Sequence, residues 1–599
     1  MENSLVVYKS RPARVLKVAD KLDIELESGQ IKRVRNKDVM LLHEGPLRNL
    51  AELTQASGEV EEAWELLAGG STNLEELTEL VFGEYSPSTA WAAWQLVMDG
   101  LYFIGTPDDL EVQSPEQVGK LQQARAVKVS HKQEWSEFFA RLQTGELLPS
   151  DAAKLADVEA LAWGQRDTSR ILHQLGRQET GENAHAFLLK IGHWDETMNP
   201  YPIRIGLPTE PPELELGDLE VEDRLDLTHL PAFAIDDEGN QDPDDAISLE
   251  SNRIWVHVAD VAALVKPDAA QDLEARTRGA TLYLPDRTIP MLAPAAVDKL
   301  GLGLQDRNPA LSFNIEVDSS GKPTLRKVTP SWVSVTRLSY TEANQRLNQQ
   351  PLCQLWELAQ AFRARRIANG ATEIHLPEIA VRVQDGKVII RPLPRLESRT
   401  LVTELMLMTG EAAARFAADH AISFPFSVQN PTESVIKTPG NVAEMFALRK
   451  TMKRSQLKHS PAPHAGLGLE MYTQVTSPLR RYLDLVAHQQ LRAFTRGEAL
   501  LNEQDIMLRV GAAEAVIGKV RRTERLSNKH WTLVYLRHHA KWRGRGIAVE
   551  QSGSRVTVLV PELGLDAPVA CGRTIALNTE LELTAERINL PSLSVNFRI

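Results

Sequence analysis

Residues 233–248 read Phe-Ala-Ile-Asp-Asp-Glu-Gly-Asn-Gln-Asp-Pro-Asp-Asp-Ala-Ile-Ser and carry the aspartates Asp236, Asp242, Asp244 and Asp245. Carboxylates this close repel one another, by about 4 kcal/mol per pair at 4 Å and an effective dielectric near 20. A positive charge is therefore expected among them, and hard oxygen donors favour Mg²⁺ or Mn²⁺. Two other readings compete. A calcium loop needs glycine where Asp245 stands and a terminal glutamate where Ser251 stands, so that pattern fails. A solvated acidic loop stands beside the metal reading. What favours the metal is the apolar flanks, Ala232–Ile235 and Ala246–Leu249, which read as strands pinning the loop to a buried framework.

The elements that must position this loop follow from patterning. The 599 residues, 43% hydrophobic and 25% charged, suit several domains with real cores. Residues 1–45 alternate as short strands (Leu5–Tyr8, Arg14–Val18, Asp23–Glu27, Lys32–Val34) and predict a small β-barrel. Residues 46–200 predict a helical region opening at Leu47, Leu50, Ala51 and Leu53. Within it, a helix over 73–83, a second opened by Ser86-Pro87 and closed by Gly100, and the strand-like 101–104 resemble a winged helix. Its helices are poor in Lys and Arg, so a structural role stands beside nucleic-acid binding. Residues 201–225 predict a linker, 226–540 a mixed α/β catalytic domain, and 541–599 an OB-type barrel with the cations Lys541, Arg543 and Arg545 at its start. The fold class expected is α+β multidomain.

Partners are bounded by charge and composition. No run of about 18 apolar residues predicts a membrane span, and the N-terminus lacks the layout of a signal peptide. Cys353 and Cys571 have no metal-ligand spacing and are expected as buried thiols in a reducing compartment, with no disulfide-linked partner and a cytoplasmic location. The net charge of −13 speaks against a polyanionic partner. Its distribution does not: residues 445–545 hold 19 Lys and Arg against 7 Asp and Glu. Such a segment can steer a polyanion, or can simply be solvated helix faces.

Several ordered motifs carry a resemblance. The aspartate spacing, Val256-His-Val-Ala-Asp260, RGATLYLPDRTIPML at 278–292, Arg337–Tyr340, Glu404–Leu407 and HAGLGLEMYTQVTSPLRRYLDLVAH at 464–488 resemble the ribonuclease II/ribonuclease R (RNB-domain) exoribonucleases, closest to the ribonuclease II type, over roughly 225–540. That resemblance implies hydrolysis of single-stranded RNA from the 3′ end to nucleoside 5′-monophosphates. It implies metal ligation by Asp236, Asp242, Asp244 and Asp245, with Asp244 most critical to the chemical step. Arg480 would stabilise the transition state, its alternative being an i,i+4 ion pair with Asp484 in the first turn of a helix opened by Ser477-Pro478. Tyr283 would stack on the 3′-terminal nucleotides and Tyr340 would border the RNA channel, where core packing is the rival for both. Glu404 and Glu524 would lie near the nucleotide, reading its 2′-hydroxyl; pairing with Arg521 is the rival for Glu524. Arg481 would meet the RNA backbone. A monomer is expected.

There are departures from the family pattern. The strand Glu378–Val383 lacks the second base-stacking aromatic, leaving Ile379 or Val381 to pack there. One short barrel replaces paired cold-shock barrels, and the long basic C-terminal tail of duplex-degrading types is missing. The expected function is a metal-assisted 3′→5′ exoribonuclease, the alternative a catalytically inactive RNA-binding protein of the same fold.

Overall fold

The structure, a computed structural model, describes residues 1–432 and 439–599. The chain divides into two compact units, Met1–Asp151 and Ala152–Ile599.

In the first unit five strands (Leu5–Tyr8, Arg11–Val18, Leu22–Leu26, Ile31–Val34, Met40–His43) form an antiparallel sheet in the order fourth, third, second, first, fifth. Helices Leu74–Phe82 and Pro87–Asp99 follow. The first is capped by the Asn73 side chain accepting from the Glu76 amide; Gly83 and Gly100 close the two helices in the left-handed region, at φ 81° and 68°. Strands Ser71–Thr72, Phe103–Thr106 and Asp109–Val112 complete the winged-helix arrangement. The helix expected from Leu47 does not form there: the first α-helix begins at Val60. Leu47 instead plugs the core beside Leu5, Leu42 and Trp94, so its apolar character reports an anchor and not a helical stripe.

The second unit opens with short helices and is built around a seven-stranded mixed sheet. Its strands are β1 (Leu225–Asp226), β2 (Ala232–Asp236), β3 (Asp245–Glu250), β4 (Arg253–Ala259), β5 (Asn308–Val317), β6 (Pro323–Val333) and β7 (Val335–Ser339). The order is β7-β2-β3-β4-β5-β6-β1. Four helices matter below: α1 (Leu352–Ala368), α2 (Glu397–Asp419), α3 (Tyr482–Arg496) and α4 (Glu503–His538). One face of the sheet, with Ile247, Val256 and Phe313, packs on Leu401, Leu405 and Met408 of α2. The other, with Ala246, Trp255 and Ala259, packs on Leu483 and Val486 of α3. Burial from both sides explains why β4 reads as a nearly unbroken apolar run. Its one polar interior residue, His257, is held between the hydroxyls of Ser248 (2.8 Å) and Ser312 (2.7 Å) on the neighbouring strands. A five-stranded antiparallel sheet ends the chain, from Arg543–Ser552 to Ser594–Arg598. Of the two cysteines, both free, Cys571 is buried as expected while Cys353 is only partly so, lying near the start of α1. Among the described residues no helix is long and apolar enough to cross a membrane.

His185 lies fully buried on the helix Gly181–Lys190, with neither ring nitrogen hydrogen-bonded, and faces His530 at 6.4 Å between ring centroids. Burial lowers its pKa to about 4. The unfolded chain, titrating near 6.5, therefore takes the proton first. Stability is full above that pH and is lost as pH falls toward the folded value. His185→Leu is expected to lose about 2 kcal/mol less than the wild type between pH 7 and pH 5, read from urea denaturation at the two pH values.

Candidate active site

The aspartate loop joins two strands of the sheet. Asp236 ends β2 and Asp245 opens β3. Between them Gly239 turns the chain at φ 80°. The loop is then pinned by backbone bonds from Ala259 N to Asp244 O (2.8 Å) and from Leu302 N to Pro243 O (2.9 Å). These bonds turn Asp244 inward, leaving it 2% exposed.

Arg480 meets that carboxylate from 236 positions away in sequence. Its Nε lies 3.0 Å from Asp244 Oδ2, and the Leu479 amide donates to Asp244 Oδ1 at 2.8 Å. The helix expected to open at Pro478 begins at Tyr482, so Arg480 sits in the preceding turn. The rival pairing with Asp484 does not form; Asp484 instead takes Arg481 (2.7 Å) and the Ser477 amide (2.9 Å). The reason is geometric: Arg480 lies in the turn before the helix, where it reaches Asp244, and Asp484 accepts instead from Arg481 and from the backbone of that turn at Ser477.

The electrostatics of the loop are those of crowded buried acids. Burial raises the pKa of Asp244 well above the ordinary carboxylate value, with Arg480 opposing. Asp245 rises to about 7, by burial first and by Asp236 second. Asp236 is raised by burial as well. Burial works against the charge of Arg480, and Asp244, Tyr283, Asp245 and Asp242 outweigh it. The donor set, acidic oxygens with one guanidinium against them, fits a hard divalent cation in its chemistry. Among the described residues, however, no three His, Cys, Asp or Glu side chains form a group closed around a common metal position.

Tyr283 stands at the rim, 36% exposed. Its hydroxyl donates to Asp242, and its amide donates to Glu524 Oε1 at 3.1 Å. The pKa of Glu524 is raised by burial. The hairpin carrying Tyr283 (Leu282–Tyr283 and Thr288–Ile289) is brought beside Arg480 by backbone bonds Thr281 N to Arg480 O and Tyr482 N to Gly279 O, both 3.0 Å. Two further ties were not foreseen from sequence. Trp531 Nε1 on α4 donates to Asp286 Oδ1 at 3.1 Å, and Val383 N donates to Pro285 O at 2.7 Å. Asp286 lay within the motif at 278–292, but nothing local pointed to Trp531.

The other named residues divide. Tyr340 begins the helix Tyr340–Gln345, and Arg399 covers its ring at 4.0 Å while binding Asp237 at 2.5 Å. Arg399 and Asp237 were also missed, since an arginine on α2 carries no sign of its partner. Glu404, 2% exposed, is turned into a bidentate pair with Arg366 of α1 (2.5 and 2.9 Å). Arg481 is held by Asp484. The structure thus gathers the four aspartates, Arg480, Tyr283, Glu524 and Tyr340 around one loop, while Glu404 and Arg481 are engaged in ion pairs of their own. Arg366, Arg399, Glu404, Tyr535 and Trp542 line a chamber of about 1010 Å³.

Around this sheet and loop the chain matches known families: the family model described as RNB domain matches residues 224–497, and that described as a double HTH domain matches 118–200. An uncharacterized ribonuclease of Synechocystis sp. is 31% identical over 664 aligned positions, covering 100% of this chain and 99% of the relative. The chloroplastic/mitochondrial ribonuclease II of Arabidopsis thaliana is 28% identical, over 86% of this chain and 72% of the relative. Among solved structures, an active-site mutant of Dss1 exoribonuclease from Candida glabrata superposes with a TM-score of 0.66 at 17% identity, covering 100% of this chain and 98% of that one. The chain belongs to the RNB-domain ribonuclease family.

The indole–Asp286 bond tests how tightly Tyr283 is held. Trp531→Phe keeps the packing and deletes the donor, and should raise KM for oligoribonucleotides about three- to tenfold with kcat within about twofold. Asp286→Ala should behave alike. Asp286→Asn, which still accepts, should stay near the wild type. Unchanged KM in both deletion variants would show the tie to be idle.

Proposed function

We propose that this protein is a divalent-metal-dependent exoribonuclease that hydrolyses single-stranded RNA 3′→5′ and releases nucleoside 5′-monophosphates. The observation that carries the reading is the pairing of Arg480 with buried Asp244 inside the aspartate loop. It sets a phosphate-binding cation against a set of carboxylates that have little water to stabilise them. Asp236, Asp242, Asp244 and Asp245 would hold the ion, Mg²⁺ or Mn²⁺. When bound, such an ion acidifies water and offsets charge on the leaving 3′-oxygen.

The protein's own groups supply the rest. Arg480 offers a fork of donors to the scissile phosphate and stabilises charge that grows there. Tyr283, exposed beside the loop and fixed at its amide and its hydroxyl, presents a ring on which any terminal base can stack, which suits an enzyme indifferent to sequence. Glu524 fixes Tyr283 and places a carboxylate beside the same nucleotide, where a 2′-hydroxyl would be felt. The β-rich domain over 541–599, with Arg543 and Arg545 on its first strand, would guide the strand inward.

The test uses a 5′-labelled single-stranded oligoribonucleotide with and without Mg²⁺. Stepwise shortening from the 3′ end is expected for the wild type, no cleavage in EDTA, and none of matched DNA. Asp244→Asn should lose at least about 100-fold in rate while retaining RNA binding. RNA bound but left intact by the wild type would instead identify a catalytically inactive RNA-binding member of the fold. Equal cleavage by Asp244→Asn would refute the assignment of the site.

A further inference from the structure

The cationic excess between 445 and 545 is not uniform once folded. Arg480, Arg481 and Arg492 are spent on buried carboxylates, and the buried Arg509 is spent on the exposed Asp268. On α4, by contrast, Lys519, Arg521, Arg522, Arg525 and Lys529 stand within eleven residues that hold one acid, Glu524. Glu524 is turned to the Tyr283 amide. Among the described residues no salt bridge engages any of these five cations.

Helical geometry puts four of them on one side. At 100° per residue Arg521, Arg522, Arg525 and Lys529 span an arc of about 100°, opposite Val520, Thr523 and Ser527. Those three are at most 4% exposed, whereas Arg521, Arg522 and Arg525 are exposed and Lys529 is half-buried. Like charges three and four positions apart are unfavourable for a helix, so the arrangement calls for an anion from outside. The same turns of α4 hold the candidate site: Val516 and Val520 pack on Leu282, Leu284 and Ile289 of the tyrosine hairpin.

We propose that this face is a phosphate-binding surface for single-stranded RNA, outside the aspartate site and engaged only by substrates long enough to reach it. Its length, about 12 Å from Arg521 to Lys529, suits several consecutive phosphates and no mononucleotide. The proposal rests on the reading of the protein as an RNA-directed enzyme. It concerns binding, which can be measured with cleavage suppressed.

The experiment compares the wild type with Arg521→Gln/Arg522→Gln/Arg525→Gln/Lys529→Gln. Affinity for a 30-nucleotide single strand is measured in EDTA across a salt series, and hydrolysis of a heptanucleotide in Mg²⁺. Each phosphate contact contributes about 0.7 to the slope of log affinity against log salt. The quadruple variant should therefore lose about 2 to 3 from that slope, bind the long strand at least tenfold more weakly at low salt, and cleave the heptanucleotide as the wild type does. A charge-preserving control, Arg521→Lys/Arg522→Lys/Arg525→Lys, should keep the slope. An unchanged slope in a variant with wild-type circular dichroism overturns the proposal, and so does a slope change seen with duplex RNA alone. Equal loss in the charge-preserving control also overturns it, because packing and not charge would then be responsible. Failure of the wild type to cleave the heptanucleotide would count against the enzymatic reading and leave the binding result standing.

Discussion

Asp244 has almost no contact with water, and the Leu479 amide and the Arg480 guanidinium both point at it and oppose the loss of charge that burial favours. A buried carboxylate without such partners would take up a proton or destabilise the domain by several kcal/mol. The pair therefore does more than place two side chains. It holds the segment 477–482 against the β2–β3 loop, and that segment in turn pairs with residues 279–281. The position of Tyr283 relative to the aspartates rests on this contact together with its own bonds to Asp242 and Glu524.

The same device recurs where the domain must be rigid. Asp260, at the end of β4, is fully buried and held by Arg492 of α3 (2.5 Å) and Arg224 (2.8 Å), while Glu222 takes both arginines. Asp272 is bound by Arg276 (2.9 Å) and by Gln489 of α3 (3.0 Å). Helix α3 thus carries Asp484, Gln489 and Arg492 inward, tied respectively to the segment 477–481, to Asp272 and to Asp260 at the end of β4. Breaking any one such pair leaves a charge without its counter-ion in low dielectric, which is what makes the scaffold resistant to local drift. The rim differs. Tyr283 and the outer face of α4 remain open to solvent, so substrate-facing groups are mounted on rigid elements without being buried by them.

The aspartate spacing, the flanking strands and the caps of the winged-helix part were legible in the sequence because each rests on local physics. Alternation fixes which side of a strand is buried, and Asn73, Ser86, Gly83 and Gly100 end helices by satisfying nearby backbone groups. The start of α3 was misread, since Ser-Pro is a good helix opening and nothing local shows that Arg480 is drawn aside by a residue 236 positions earlier. Leu47 was misread for the same kind of reason: an apolar residue does not declare whether it joins a stripe or plugs a core alone. Asp286 and Asp237 lay inside the quoted segments without a role read for them, and Trp531 and Arg399 left no trace, because the role of each lies in its partner.

By itself the sequence pointed to the kind of chemistry proposed, because four acids nine positions apart at most, and an arginine motif far downstream, are properties of composition and order. Tertiary structure alone decided that Asp484 pairs with Arg481 and not with Arg480, which glutamates are spent on ion pairs, and which cations of α4 face solvent. Those outcomes depend on burial and on distances between residues hundreds of positions apart. Charge interactions in a folded chain are set by desolvation and through-space separation, and neither is a function of sequence spacing.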